Sequence, residues 1–393
     1  MAEERIEEKI LHAIDEQRLV DTAGALIEVP SPTLSAGAVA DRLDEILVEE
    51  GFAVERPETD WPEAPAVVAR LESGRPGQTL QFDGHLDTVH LPFVPPRVED
   101  GQLYGSGSSD MKGGIAAFVE ALRVLRDTEA LDRGNVLITA HDHHEAPWGD
   151  RRQLYALIRE GYIGDGVLLP EYLGDKLPVA GRGMAVFCIE IERDGEPVHE
   201  VLRPEGLPDV VGVGAELVLR LKHLGEKLSE KTAPYIGSDT TFIGQVICGE
   251  MYNQAPVSCR VEGTRRWVAA GSEPEARAEI EALLEELALE SGTRIRLVDW
   301  NMPGDAFAVD QDSSLFGAFQ TAHQEVVGER LPLGGKPFID DGNSFMALAG
   351  IQAVTHGPCA VGAHTLDERV PIAELIRVAK VYALTAHKFC QEG

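Results

Sequence analysis

A histidine and two carboxylates lie at the end of a predicted strand and just before a predicted helix. This combination of side chains is suited to binding a metal ion. Residues 78–89 are typical of a strand whose end carries His85 and, two residues on, Asp87. Open α/β sheets place their ligand crevice at the carboxyl ends of the strands. The Asp87 carboxylate could orient the His85 imidazole through its other ring nitrogen. Asp110 follows small residues and precedes an apolar run with helical spacing, so we predict a metal site formed by these side chains.

Three segments, in this order, resemble the M20 family of metallohydrolases, which includes aminoacylases, deacetylases and carboxypeptidases. They are Gly84-His85-Leu86-Asp87-Thr88-Val89, then Gly105-Ser106-Gly107 with Asp110-Met111-Lys112-Gly113-Gly114, and finally Gly362-Ala363-His364-Thr365-Leu366-Asp367-Glu368. A lone histidine such as His85 is more often structural, but three matching segments favour the metal interpretation. The resemblance extends over nearly the whole chain.

The resemblance implies two adjacent divalent ions that share one carboxylate. It assigns His85, Asp110 and Glu171 to one ion, and Asp110, Glu145 and His364 to the other, with Asp110 as the bridge. The alternatives are a solvated strand-end charge for Glu171 and an ordinary loop histidine for His364. Histidine and carboxylate ligands suit Zn²⁺, Mn²⁺ or Co²⁺, and the resemblance leaves open whether one or two ions bind.

The largest departure from the family pattern lies at residues 139–149. The family usually has two successive glutamates here; the first takes a proton from water and the second binds metal. Alignment from the end of the segment puts His144 at the base position and Glu145 at the ligand position, whereas counting from the strand selects Asp142 and His143. We prefer the first alignment because it keeps a carboxylate ligand. An imidazole, with an ordinary pKa of about 6.5, could act as the base at neutral pH. Alternatively, Glu145 is itself the base and one metal site is weak or empty.

Two later segments also match the family. His199 follows Gly195 at the spacing of a family histidine that reaches the neighbouring subunit's active site and stabilises an oxyanion. Asn253 and Arg266 keep the spacing of a segment whose arginine commonly binds a substrate carboxylate. Arg265 could substitute for Arg266, and an arginine on the solvent face of a strand is the alternative.

The order of the predicted elements indicates an α/β fold. Predicted strands at 66–71, 79–82 and 135–140 alternate with helices, which favours a mixed, mostly parallel sheet with helices on both faces. Residues 184–298 follow the βαββαβ order of a ferredoxin-like module, which in the resembled family is an inserted lid that forms the dimer interface. We therefore predict a catalytic domain at 1–181 and 300–393, interrupted by a lid and dimerisation domain at 182–299.

Length and composition limit the possible functions. The chain has 393 residues, for which two domains are the default expectation. Its formal charge of −31 disfavours nucleic acid and anionic membranes as partners. The five cysteines are scattered without metal-binding spacing, which favours a reducing cytoplasm and disfavours a disulfide framework. No stretch reaches the roughly 18 apolar residues of a membrane span.

Together these features predict a metallohydrolase that cleaves a C–N bond of amide type in a small carboxylate-bearing substrate, with metal-activated water as the nucleophile. The residues predicted to take part in catalysis are His144, Glu145, Asp87 and His199, and those predicted to bind substrate are Asn253 and Arg266. The departure at residues 139–149 leaves two alternatives open. One is an aminohydrolase that releases an amine from an unusual, perhaps aromatic, carbon, and the other is a catalytically silent homologue that retains metal or ligand binding. The resemblance also implies a homodimer formed through the lid.

Overall fold

The computed structural model describes residues 5–391, which form two units. The first contains the described residues up to Val179, then Val309–Gly334, and those from Asp340 onward. The second contains Ala180–Ala308 and Gly335–Ile339. The assignment of a catalytic and a lid domain, with boundaries at 182 and 299, stays a prediction.

The helices and strands of the described residues are as follows. The helices are α1 (Ile6–Ala13), α2 (Glu16–Ile27), α3 (Gly37–Glu49), α4 (Lys112–Asp127), α5 (Arg152–Arg159), α6 (Val210–Leu228), α7 (Glu273–Ser291), α8 (Ser314–Val327), α9 (Asp341–Ser344) and α10 (Ile372–Cys390), with a 3₁₀ turn at Glu200–Leu202 and a π-helical turn at Phe345–Ala349. The strands are β1 (Ala53–Glu55), β2 (Val67–Glu72), β3 (Thr79–His85), β4 (Arg97–Glu99), β5 (Gln102–Tyr104), β6 (Asn135–His141), β7 (Gly166–Leu169), β8 (Leu177–Gly181), β9 (Gly183–Glu192), β10 (Val198–His199), β11 (Thr232–Ala233), β12 (Gly237–Ser238), β13 (Thr240–Cys248), β14 (Gln254–Ala255), β15 (Ser258–Trp267), β16 (Arg294–Gly304), β17 (Phe307–Ala308), β18 (Leu333–Lys336), β19 (Ala353–Thr355) and β20 (Arg369–Pro371). None of the described helices is long and apolar enough to cross a membrane.

A six-stranded sheet in the order β1-β2-β6-β3-β7-β19 organises the first unit. The pairs from β6 to β19 are parallel, and β1 and β2 are antiparallel. On one face, Phe82 stacks on Phe118 of α4 and approaches Tyr382 of α10. On the other face, Leu137 packs with Leu157 of α5. The predicted mixed, mostly parallel sheet with helices on both faces is therefore confirmed.

The second unit is built on an antiparallel sheet in the order β13-β15-β9-β16. Its apolar face packs against α6 and α7 through a core that includes Ile189, Val261, Leu221 and Ile280. The chain order is strand, helix, two strands, helix, strand, which confirms the predicted ferredoxin-like module. The last strand is longer than the predicted 294–298 because it follows β9 through two register shifts, which interrupt the alternation that a single sequence can reveal.

A disulfide joins Cys248 of β13 to Cys259 of β15. The two residues are direct register partners, so the bond links adjacent strands rather than distant segments. The prediction that disfavoured a disulfide framework missed this bond, because the scattered cysteines carry no sign of which pair lies opposite in the sheet. Cys188, Cys359 and Cys390 are free thiols.

Candidate metal centre

His85 is the last residue of β3 and is fully buried. Its Nδ1 lies 2.9 Å from the backbone oxygen of Asp87, and its Nε2 lies 3.2 Å from Oδ1 of Asp110. Because Nδ1 faces a carbonyl oxygen, that nitrogen donates a hydrogen bond and Nε2 is the atom directed towards the other predicted ligands. The imidazole is thus oriented by main chain.

The Asp87 carboxylate lies between His85 and the backbone of the segment that follows β6. Its Oδ1 is 3.6 Å from His85 Nδ1, farther than the backbone oxygen. Its Oδ2 instead accepts hydrogen bonds from the backbone N–H groups of His144, at 3.2 Å, and Glu145, at 2.9 Å. Asp87 therefore positions the segment that carries the predicted base and ligand.

Asp110 lies between two histidines. One carboxylate oxygen faces His85 Nε2 at 3.2 Å, and the other faces His364 Nε2 at 3.0 Å. His364 Nε2 is also 3.1 Å from Oε1 of Glu145. Asp110 thus directs one oxygen to each of the two predicted ligand groups, the arrangement expected of a bridging carboxylate.

Glu171 joins the same centre on the side of His85. Its side chain is buried, so it is not the solvated strand-end charge considered as the alternative. Ligand atoms of Glu171, His85 and His144 lie within 4.8 Å of one another, as do those of His85, Asp110 and Glu145. The structure therefore brings together all five predicted metal ligands and adds His144 to them.

The structure also distinguishes the two alignments of residues 139–149. The Asp142 carboxylate accepts hydrogen bonds from backbone N–H groups of Leu34 and Ala36, just before α3. His143 is buried, with Nδ1 3.2 Å from Asp150 Oδ1. Neither side chain belongs to the ligand groups described above, whereas those of the following two residues do. This geometry favours the alignment that makes Glu145 the ligand.

Charge at the centre is unbalanced towards the negative. Burial opposes ionisation of Asp110, but hydrogen bonds from His364 and His85 outweigh it and hold the pKa of Asp110 below its usual value. Hydrogen bonds to Asp110 and Glu145 raise the pKa of His364 to about 10. Burial, followed by the charge of Asp110, raises the pKa of Glu171 well above its usual value. These buried carboxylates are stabilised here only by protonation or by protonated histidines. A divalent cation would supply the same positive charge, and imidazole and carboxylate groups are suitable ligands for it.

Glu368 is a positioning residue that sequence reasoning missed. Its buried carboxylate accepts hydrogen bonds from the backbone N–H groups of Gly107, Ser109 and Asp110, at 2.8, 2.9 and 3.0 Å. It therefore holds the loop that presents Asp110. The signal was available, since Glu368 lies in the same motif as His364, but sequence alone does not say which backbone a carboxylate meets.

The remaining predicted residues lie in the second unit. His199 is exposed at the end of β10, and its Nε2 is 3.2 Å from Nδ2 of Asn253. Arg265 is buried and pairs with Asp239 and Glu279, at 2.9 and 2.8 Å. Arg265 is thus committed to the fold and is unsuited to replace its neighbour as a substrate ligand.

Arg266 has a different environment. Its side chain is partly buried, and no carboxylate lies within ion-pair distance of it among the described residues. Burial, and then the positive charge of Arg182, lower the pKa of Arg266. Arg182 lies near the start of the second unit, and its Nη1 donates to the backbone oxygen of Ser238 at 3.2 Å. Two neighbouring guanidinium groups favour an anionic ligand.

The model of the Peptidase family M20/M25/M40 matches residues 82–388. The chain belongs to this family. Among curated relatives, it is 28% identical over 380 residues to the succinyl-diaminopimelate desuccinylase of Alkalilimnicola ehrlichii, covering 92% of this chain and 96% of that protein. It is 27% identical over 406 residues to the protein of the same name from Methylorubrum populi, covering 96% and 99%. The M20 assignment made from the three motifs is thereby confirmed.

Solved structures agree on the fold. The aminopeptidase PepT of Bacillus cereus superposes with a TM-score of 0.79 at 20% identity, covering 96% of this chain and 99% of that one. At this identity the likeness concerns the fold alone. Family membership and the histidine and carboxylate groups together make this M20 protein a metal-dependent hydrolase that acts on amide bonds.

We predict that Glu368→Gln weakens metal binding by about 10- to 100-fold, as expected when the partner that orients a ligand is lost. The substitution removes the negative charge that accepts three backbone N–H groups around Asp110. Competition with a chromogenic chelator measures the affinity. Asp367→Asn is the matched control, because the neighbouring Asp367 is exposed and pairs with Arg369. Equal affinities in the two variants would contradict the positioning role.

Proposed function

We propose that this M20 protein hydrolyses an amide-type C–N bond in a small substrate that carries a carboxylate. The observation that carries the proposal is Asp110 shared between His85 and His364, with Glu145 and Glu171 beside them. Such a centre concentrates four or more hard and borderline ligand atoms in a small volume.

The proposed cofactors are one or two divalent ions, Zn²⁺, Mn²⁺ or Co²⁺. His85, Asp110 and Glu171 would hold one, and Asp110, Glu145 and His364 the other. When bound, such ions acidify water and polarise a carbonyl group. The choice among these metals is open, because all three accept imidazole and carboxylate donors.

His144 is the proposed general base. Its Nδ1 lies 2.9 Å from Oδ1 of Asp341, so Nδ1 donates to that carboxylate and Nε2 is left as the acceptor. The ring stacks on His85 with centroids 4.0 Å apart, and Nε2 lies 3.9 Å from Glu171. A histidine oriented by a buried aspartate can take a proton at neutral pH, the task that the first glutamate performs in the family pattern. The competing role for His144 is that of a metal ligand with His85 and Glu171.

Arg266 and Arg182 are the proposed anchor for the substrate carboxylate. Arg182 lies near enough to lower the pKa of Arg266, and Arg266 has no ion-pair partner among the described residues. Two such guanidinium groups could bind a planar anion such as a carboxylate. The relatives named succinyl-diaminopimelate desuccinylase support this class, because a succinyl group carries a carboxylate on its acyl chain. His199, held next to Asn253, is the proposed oxyanion donor.

We also propose a homodimer formed through the second unit. Strand β13 lies at the edge of its sheet and exposes Phe242, Val246 and Ile247. An apolar strand edge is a template for pairing with another chain. A cytoplasmic location remains part of the proposal; the three free cysteines agree with it, whereas the Cys248–Cys259 disulfide argues against it.

A substrate panel tests the function. With added Zn²⁺ or Mn²⁺, we expect release of amine from N-acyl amino acids, N-succinyl amino acids or dipeptides. His85→Ala is the matched control and should lose both metal and turnover, because Nε2 of His85 faces the bridging carboxylate. Release from aryl amines alone would favour the aminohydrolase alternative. Bound metal without turnover of any compound would favour a silent homologue.

The base assignment is tested by comparing His144→Gln with His143→Gln. We expect His144→Gln to keep its metal and lower kcat by about 10²- to 10⁴-fold, the usual effect of removing a general base. His143→Gln should retain most activity, because that ring contacts Trp61 and Asp150 instead. Metal content by mass spectrometry separates the two roles of His144. Loss of metal from His144→Gln would indicate that His144 is a metal ligand. Full activity of this variant would show that His144 takes no part in the reaction.

The anchor is tested with Arg266→Gln. We expect KM to rise about 10- to 100-fold for the carboxylate substrate, because a charge-assisted pair is lost. The same substrate with its carboxylate amidated should show no such difference between variant and unsubstituted enzyme. Arg260→Gln, on the same strand but next to Glu262, is the control. An equal rise for the amidated compound would contradict carboxylate recognition.

A further inference from the structure

A second convergence of metal-binding side chains lies in the first unit, apart from the proposed catalytic ligands. Asp83 comes from β3, His141 ends β6 and Asp341 begins α9. Their exposed fractions are 0%, 1% and 0%. Strand register places Asp83 opposite Thr139, and His141 opposite His85.

Three atoms of this cluster face one another without hydrogen-bond partners. Nε2 of His141 is 3.5 Å from Oδ2 of Asp83 and 3.3 Å from Oδ2 of Asp341. All three atoms lie within 4.8 Å of one another. Each is buried and unpartnered among the described residues. These separations exceed the usual N–H···O range of about 2.7 to 3.2 Å.

The other polar atom of each side chain is already held. Nδ1 of His141 faces the backbone oxygen of Asp142 at 3.1 Å, so it donates and Nε2 is directed at the carboxylates. Oδ1 of Asp83 accepts the Thr139 hydroxyl at 2.5 Å. Oδ1 of Asp341 accepts from His144. Each of the three side chains therefore has one polar atom in a hydrogen bond and one without a partner. Ligands of protein metal ions are commonly arranged in this way, with the second polar atom held by a hydrogen bond.

The distances between these three atoms distinguish a cation site from a direct ion pair of histidine and carboxylate. Ligand atoms about 2.0 to 2.2 Å from a tetrahedral ion lie about 3.3 to 3.6 Å apart, which the observed 3.3 and 3.5 Å match. A protonated His141 would have one N–H for two buried carboxylate oxygens, which would leave one of these carboxylates buried without a partner.

We propose that Asp83, His141 and Asp341 bind a third divalent cation, of the Zn²⁺ or Mn²⁺ class. One imidazole and two carboxylates suit such ions. The ion would lock Asp341, whose other oxygen orients His144, and would thereby fix the position of the proposed base. This site is separate from the proposed catalytic ligand set, and the inference does not depend on the substrate.

Metal stoichiometry tests the proposal without any activity measurement. A full-length variant with His85→Ala, Asp110→Asn and His364→Ala removes three of the five proposed catalytic ligands, including the bridging carboxylate and both histidines. After loading with Zn²⁺ or Mn²⁺ and passage over a chelating resin, mass spectrometry should find about one ion per chain. Adding Asp83→Asn and His141→Gln should remove that ion, whereas adding His143→Gln should not.

Two results would overturn the third site: a folded triple variant that retains no ion, or an ion that survives Asp83→Asn with His141→Gln. Because buried substitutions can prevent folding, crystals of the unsubstituted protein soaked in Mn²⁺ or Zn²⁺ provide an independent measurement. Anomalous density should appear within bonding distance of Asp83, His141 and Asp341. Density confined to the centre around Asp110, with a hydrogen bond formed by Nε2 of His141, would also overturn it.

Discussion

Burial of negative charge is the constraint on which the first unit depends. Asp83, Asp87, Asp110, Glu145 and Glu171 are all buried. An ionised carboxylate in a protein interior is stable only when it is paired with positive charge or saturated with hydrogen bonds. Asp87 meets that requirement through backbone N–H groups and Asp110 through two histidines. Oδ2 of Asp83 instead has no hydrogen-bond partner, and burial raises the pKa of Glu171.

Carboxylates that are saturated by backbone N–H groups serve as positioning residues. Asp87 accepts from the backbone N–H groups of residues 144 and 145, and Glu368 accepts from those of residues 107, 109 and 110. Asp110 and Glu171 instead lie next to imidazole nitrogens, and their pKa values are displaced in opposite directions. Opposed shifts in neighbouring buried acids are characteristic of functional sites.

The sequence was sufficient to name side chains that the structure brings together, but insufficient to identify the residues that position them. His85, Asp110 and His364 stand in motifs whose order along the chain identifies the family, and the long strands and helices around them have clear periodicity. The roles of Asp87 and Glu368 depend on which backbone each carboxylate meets, which is a tertiary property. Short strands such as β4 and β20 were missed because three residues are too few to show alternation.

The atypical segment after β6 connects these observations. An imidazole base must present a particular nitrogen and therefore needs a hydrogen bond on the other. Asp341 supplies that bond to His144, and Arg151 also pairs with the same carboxylate oxygen at 3.2 Å. The remaining oxygen of Asp341 faces His141, which occupies the end of β6. The proposed base His144 is therefore backed by a buried acid, Asp341, whose second oxygen lies next to His141 and Asp83 in the proposed third cation site.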